Sequence, residues 1–169
     1  MKVAKRAAAL MVVVLLLAAS CSSETRESGK VFEAEGFGQS LSAAFFDFQV
    51  DDAELAEEIE EYQPNDEEKQ FLIVNVTVTN TFEDEDSIPM FDTDFRLLWE
   101  GQEEQGLYCE QNFASIQLPE EYTLEKGESR TGSLVFVVPR GITEFTLEYL
   151  EIYEDQFEGN TFNIHFSVQ

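Results

Sequence analysis

Apolar and polar residues alternate one by one through residues 71–82. Leu72, Val74, Val76, Val78 and Phe82 fall on one side, and Asn75, Thr77, Thr79 and Thr81 on the other. A period of two belongs to a strand with one buried face, and the β-branched residues on both sides suit a pleated surface, so a long half-buried strand is expected here. The same alternation places Phe46, Phe48 and Val50 opposite Asp47 and Gln49 in residues 45–50, with Phe45 out of phase. Residues 95–99 read as a shorter strand, and the turn Glu100-Gly101-Gln102 leads to another around 107–109. After Lys126-Gly127-Glu128, residues 132–138 carry Leu134, Phe136 and Val138 on one face and Val135 and Val137 on the other, which reads as a central strand. Pro139-Arg140-Gly141 ends it. Phe145, Leu147 and Tyr149 then alternate with Thr146 and Glu148; beyond Glu158-Gly159-Asn160, Phe162, Ile164, Phe166 and Val168 point inward and Asn163, His165 and Ser167 outward.

One segment is ambiguous. Leu55, Ile59 and Tyr62 stand at i, i+4 and i+7 among acids, the spacing of one helix face; the alternative is that a strand from Ala43 runs on to Leu55 and leaves an acidic loop as far as Glu68. Seven or more short strands with turn signals between them give an all-β, antiparallel β-sandwich of immunoglobulin-like type.

The N-terminus has a different pattern. Lys2, Lys5 and Arg6 precede an uncharged, mostly apolar run over residues 7–19, the layout of a secretory leader. A permanent span needs about 20 apolar residues, and Glu24 and Arg26 close the window before that. The run ends Leu17-Ala18-Ala19-Ser20-Cys21, which resembles a bacterial lipoprotein cleavage box, apart from Ala18 where Leu is usual. Residues 1–20 are therefore read as a lipoprotein signal peptide, and Cys21 as the acylated residue anchoring the chain to the outer face of the cell membrane. Residues 21–30 then form a polar tether, and 31–169 the sandwich domain. The eight residues after Cys21 reach roughly 25–30 Å when extended.

Composition sharpens this picture. Hydrophobic residues make up 43% of the chain and aromatics 12%, enough for a packed interior despite a net charge of -25. Removing residues 1–20 takes away three of the ten cations and none of the 35 acids, which leaves 7 against 35, a net of -28. Such a field repels nucleic acid and anionic lipid headgroups, so the partners to expect are cations, basic peptides or neutral molecules.

Candidate chemistry is sparse. With Cys21 acylated, Cys109 is the one remaining thiol, so no internal disulfide forms; it reads as a small buried hydrophobe. His165 is the single histidine, no Gly-x-Ser-x-Gly elbow presents a nucleophile, and Gly36-Phe37-Gly38 lacks the rest of a phosphate loop. The acidic runs offer weak calcium candidates in Asp84, Asp86, Asp92 and Asp94, yet no Asp-x-Asp-x-Asp-Gly spacing occurs, and a solvated acidic surface is the favoured reading. No cofactor site is apparent and no catalytic constellation emerges.

Three stretches taken in order are distinctive. Residues 71–80 (FLIVNVTVTN), then Asp94-Phe95-Arg96-Leu97, then residues 124–139 (LEKGESRTGSLVFVVP), followed by Leu147-Glu148-Tyr149, resemble the bacterial domain-of-unknown-function family DUF4352, over about residues 38–149. The resemblance implies an immunoglobulin-like sandwich, common on lipoproteins of Gram-positive bacteria, in which Asn80 and Gly127 shape turns and Leu134, Phe136 and Pro139 build and end a strand. It brings no catalytic residues. This chain departs from the pattern in its acidity and in having Leu124-Glu125-Lys126-Gly127 where Pro often precedes the Gly. The function expected is a non-catalytic, lipid-anchored binding module. The alternative is a structural or weakly calcium-binding surface protein.

Overall fold

The computed structural model describes residues 28–83, 87–102, 106–153 and 155–169, so the leader, Cys21 and most of the tether lie outside the described residues. Ten strands follow in chain order: β1 (Val31–Glu35), β2 (Ser40–Ser42), β3 (Phe46–Ala56), β4 (Lys69–Asn80), β5 (Ser87–Phe91), β6 (Phe95–Leu98), β7 (Glu121–Glu125), β8 (Ser129–Pro139), β9 (Glu144–Ile152) and β10 (Glu158–Ser167). One 3-10 turn, Asp92–Asp94, joins β5 to β6. One sheet runs β2-β3-β4-β8, the other β1-β10-β9-β6, and β5 with β7 form a two-stranded ribbon.

The two large sheets stack because each presents a fully apolar face. Phe48, Val50, Val74, Val76, Leu134 and Phe136 of the first meet Phe95, Leu97, Leu147, Phe162 and Ile164 of the second in one core. Aromatic rings cross the gap, Phe46 lying 4.8 Å from Tyr149 and 6.2 Å from Phe95 between ring centroids. The expected inward set of β10 is buried as read: Phe162, Ile164, Phe166 and Val168.

Among the ten strands the pairing is antiparallel except at one edge, where β1 lies parallel to β10 with Val31 opposite Thr161 and Glu35 opposite His165. A parallel pair forbids a tight hairpin, and these two strands come from opposite ends of the domain, so no hairpin is required.

Residues 53–62 are not helical. β3 runs through Ala56, and Leu55, Ile59 and Tyr62 share no helix face: Leu55 faces Leu72 of β4, while Ile59 and Tyr62 exchange backbone hydrogen bonds across a turn. β3 also carries a bulge, where Val50 pairs with Val76 but Asp52 pairs with Asn75, leaving Asp51 as an extra residue. Before the bulge the even positions Phe46, Phe48 and Val50 face the core; after it the phase flips, and Ala53 and Leu55 face Val74 and Leu72. Asp51 fixes the bulge by accepting hydrogen bonds from Gln49 Nε2 at 2.5 Å and Thr77 Oγ1 at 2.6 Å.

The strand expected around 107–109 is a single bridge between Leu107 and Leu97. β8 is an edge strand, not a central one. Its second apolar face is covered instead by loops: Ile59, Phe71, Ile73, Ala114 and Val135 make a second cluster on the outer side of the sheet. The covering loop also closes part of the edge, since Ser133 exchanges hydrogen bonds with Ile116 and Leu118, and Glu110 N donates to Val135 O. The two covering loops are pinned to each other where Ser115 N and Oγ donate to Glu60 at 2.8 and 2.7 Å. Those bonds hold the Glu60 carboxyl below the usual carboxylate range.

Asn80 closes β4. Buried to 1% exposure, it donates from Nδ2 to Leu124 O at 3.0 Å and accepts from Phe82 N at 2.9 Å, tying the strand to β7. The turn expected at Gly127 is there, with φ of 76° and its N–H donating to Asn80 O.

Candidate functional site

The outward residues of the β1-β10-β9-β6 sheet form transverse rows. One row, near the end of the sheet, is Glu35, His165, Thr146 and Leu98, in consecutive register across the four strands. Beyond it, Trp99 and Glu100 continue from β6 and Glu144 begins β9, and together with the row they bound an open groove of about 540 Å³. Phe145 and Phe166 lie buried beneath its floor, and Trp99 packs on Phe145 in a T-shaped contact with 6.4 Å between ring centroids. The groove is built on paired strands, which hold its residues in fixed positions. Sequence reasoning passed over it. The signal was the chain's only Trp beside an acid, and only strand order brings Glu35 and Glu144 alongside.

His165 is placed outward, as its alternation predicts. Its Nδ1 lies 2.8 Å from Thr146 Oγ1 and its Nε2 3.6 Å from Glu33 Oε1. A hydroxyl, an imidazole and a carboxylate in line invite comparison with a hydrolytic triad. The surroundings argue against one. Thr146 sits in a strand paired on both sides, opposite His165 and Leu98, so neighbouring backbone N–H groups are spent in the ladders and none is presented to a developing oxyanion.

Asp92 and Asp94 are not part of a solvated surface. Asp92 is buried, and Asp94 accepts a hydrogen bond from Phe91 N at 2.8 Å at the 3-10 turn. Burial raises both carboxyls, Asp94 to about 6. Cys109 lies over the same turn, its Sγ 3.7 Å from Asp92 O, and burial assisted by the Asp92 charge pushes its thiol up to about 12. A thiol so far from ionisation is no nucleophile at neutral pH. Asp84 and Asp86 lie outside the described residues; among those described, no group of three or more His, Cys, Asp or Glu side chains is placed to hold a metal ion.

A family model, described as a domain of unknown function (DUF4352), matches residues 36–160. The chain belongs to this family. Solved structures of similar fold are the following. The yjhA protein of Bacillus subtilis is 20% identical with a TM-score of 0.57, over 80% of this chain and 100% of that one. A candidate lipoprotein of the same organism, ycdA, is 22% identical with a TM-score of 0.56 over 74% of this chain. The chain spans only 38% of the length of ycdA. The secreted protein MPT63 of Mycobacterium tuberculosis is 15% identical with a TM-score of 0.51, over 80% of this chain and 98% of that one. No curated protein matches the DUF4352 chain in sequence.

Proposed function

We propose that this DUF4352 protein is a binding module on the outer face of the cell membrane, held there by lipid on Cys21 and acting by recognition rather than catalysis. The observation that carries the reading is the groove between Glu35, Trp99 and Glu144: a concave surface with aromatic lining on a rigid sheet end. The location draws support from the leader pattern ending at Cys21, and from the similarity to a candidate lipoprotein and to a secreted protein.

The test is site-specific photo-crosslinking in living cells. A photoreactive residue replacing Trp99 is expected to capture a discrete partner, whereas the same residue replacing Glu54 on the opposite sheet captures none. Equal capture at both positions overturns the groove as the binding surface. The purified protein is expected to show no turnover on ester, peptide, glycoside or phosphate substrates, and turnover abolished by His165→Ala would replace recognition by catalysis.

A further inference from the structure

We propose that the groove receives a cationic group, the ammonium or guanidinium of a Lys or Arg side chain presented by a partner polypeptide, between Trp99 and the carboxylates of Glu35, Glu100 and Glu144. This deepens the binding-module reading and rests on it. The lining holds three carboxylates and neither Lys nor Arg. Among the described residues, no ion pair or hydrogen bond engages the three carboxylates, while the arginines are engaged elsewhere: Arg96 with Glu148, Arg140 with Glu57, and Arg130 over the Tyr122 ring at 5.1 Å. The groove therefore has negative charge that the domain itself does not balance, in a chain whose net charge of -25 deepens the local potential.

Charge alone would suit any cation, and the apolar surface narrows the choice. Trp99 offers the ring type with the strongest attraction for a cation over its face. Half-buried Leu98 and Trp99 supply apolar contact of the kind that the methylene stem of Lys or Arg covers while its head stays at the carboxylates. A bare metal ion gains nothing from that surface. The groove is also open rather than enclosed, so a side chain can enter while its backbone stays outside.

Trp99 is the only Trp of the chain, so its fluorescence reports on the groove directly. The full-length protein in a non-ionic detergent is titrated with blocked tri-lysine, tri-arginine and tri-glutamine peptides and with spermidine, at fixed ionic strength. Both basic peptides are expected to shift Trp99 emission saturably, tri-glutamine to have no effect, and spermidine to bind at least fivefold more weakly than tri-lysine. Glu35→Gln with Glu100→Gln and Glu144→Gln is expected to weaken tri-lysine at least tenfold. A charge-matched control, Glu54→Gln with Glu67→Gln and Glu121→Gln on exposed positions away from the groove, is expected to weaken it less than twofold. Equal weakening by the two triples would reduce the effect to the general field and overturn the proposal. Spermidine binding as tightly as the peptides would overturn the polypeptide as the source of the cation. Tri-glutamine binding, or silence from every probe, would overturn cation recognition while leaving the binding module to stand or fall on the crosslinking.

Discussion

Glu151 carries a carboxylate into the interior at 2% exposure, and each of its two oxygens is engaged. Oε1 accepts from Ala44 N and Oε2 from Asn160 N, each at 3.0 Å, so one side chain joins the β2–β3 turn of one sheet to β10 of the other. Gly159 makes room for it: a Cβ there would lie 2.6 Å from Glu151 Oε2 and 2.8 Å from its Cβ. Gly159→Ala is expected to cost about 1–3 kcal/mol by overpacking, measured by urea unfolding, whereas Gly141→Ala, with open space at Cβ, should lose only what its φ of 84° imposes. Asp94 gives the second residue-level prediction. Its carboxyl rises from an ordinary 3.8 to about 6 in the folded state, chiefly through burial, so between those values the folded protein holds more protons than the unfolded chain. Stability from this group is therefore fully present below about pH 4 and is lost as pH rises through 6. Asp94→Asn keeps an acceptor for Phe91 N and removes the charge; it is expected to flatten this decline and raise stability at pH 7 by roughly 1–3 kcal/mol, at about 1.4 kcal/mol per pH unit. An unchanged slope between pH 4 and 6 would place the cause elsewhere.

At the scale of elements, β8 shows how an edge strand can look like a central one. Val135 is fully buried because the loop through Ala114 lies over it, and the loop's own backbone satisfies Ser133 and Val135 at the edge. The close approach depends on Gly132, where a Cβ would stand 2.7 Å from Leu118 Cδ2 and 2.9 Å from its Cγ. Gly132→Ala is expected to destabilise by about 1–3 kcal/mol, and Leu118→Ala, costly alone as a buried leucine, should cost less in the Gly132→Ala background. Additive losses in that double-mutant cycle, read from urea unfolding, would deny the contact. Displacing the loop also frees β8 edge groups for pairing with another chain, so light scattering should rise in the single variant.

For the whole molecule the dominant fact is charge. Self-repulsion at a net charge of -25 weakens the compact state, so screening should raise the melting temperature. Sodium chloride and calcium chloride at matched ionic strength are expected to act about equally, since Asp92 is buried and half-buried Asp94 is bonded to Phe91 N at the 3-10 turn rather than both being gathered around a shared centre. A saturable calcium-specific rise, removed by Asp84→Asn with Asp86→Asn, would assign a calcium site to that loop; a ligand at a hundredfold excess over its dissociation constant adds about 2.7 kcal/mol. Attachment belongs to this scale as well. Cys21→Ser should leave the precursor uncleaved and abolish incorporation of labelled palmitate, because acylation needs the thiol; unchanged labelling would remove the anchor from the proposed function.

Strands whose two faces differ were legible in the residues alone. In β4, β9 and β10 the alternation of Val, Leu and Phe with polar residues is set by the pleat, and a local period of two survives whatever the strand pairs with. The turn at Gly127 was legible for the same reason, since a positive φ is a local demand. The remaining features depend on contacts between distant segments. The bulge at Asp51 reverses which residues face the core, and only the pairing with β4 shows it, because its cost is offset by a hydrogen bond from Thr77, which stands 26 positions away. β5 and β7 escaped reading because each is short and gains its partner only across the intervening chain. The groove is the extreme case: Glu35, Trp99, Glu144 and His165 share no sequence pattern, and they become neighbours because β1 enters its sheet beside β10 while β6 enters beside β9. A site assembled from four strands is fixed by strand order, and strand order is settled by the packing of the whole core rather than by any one segment.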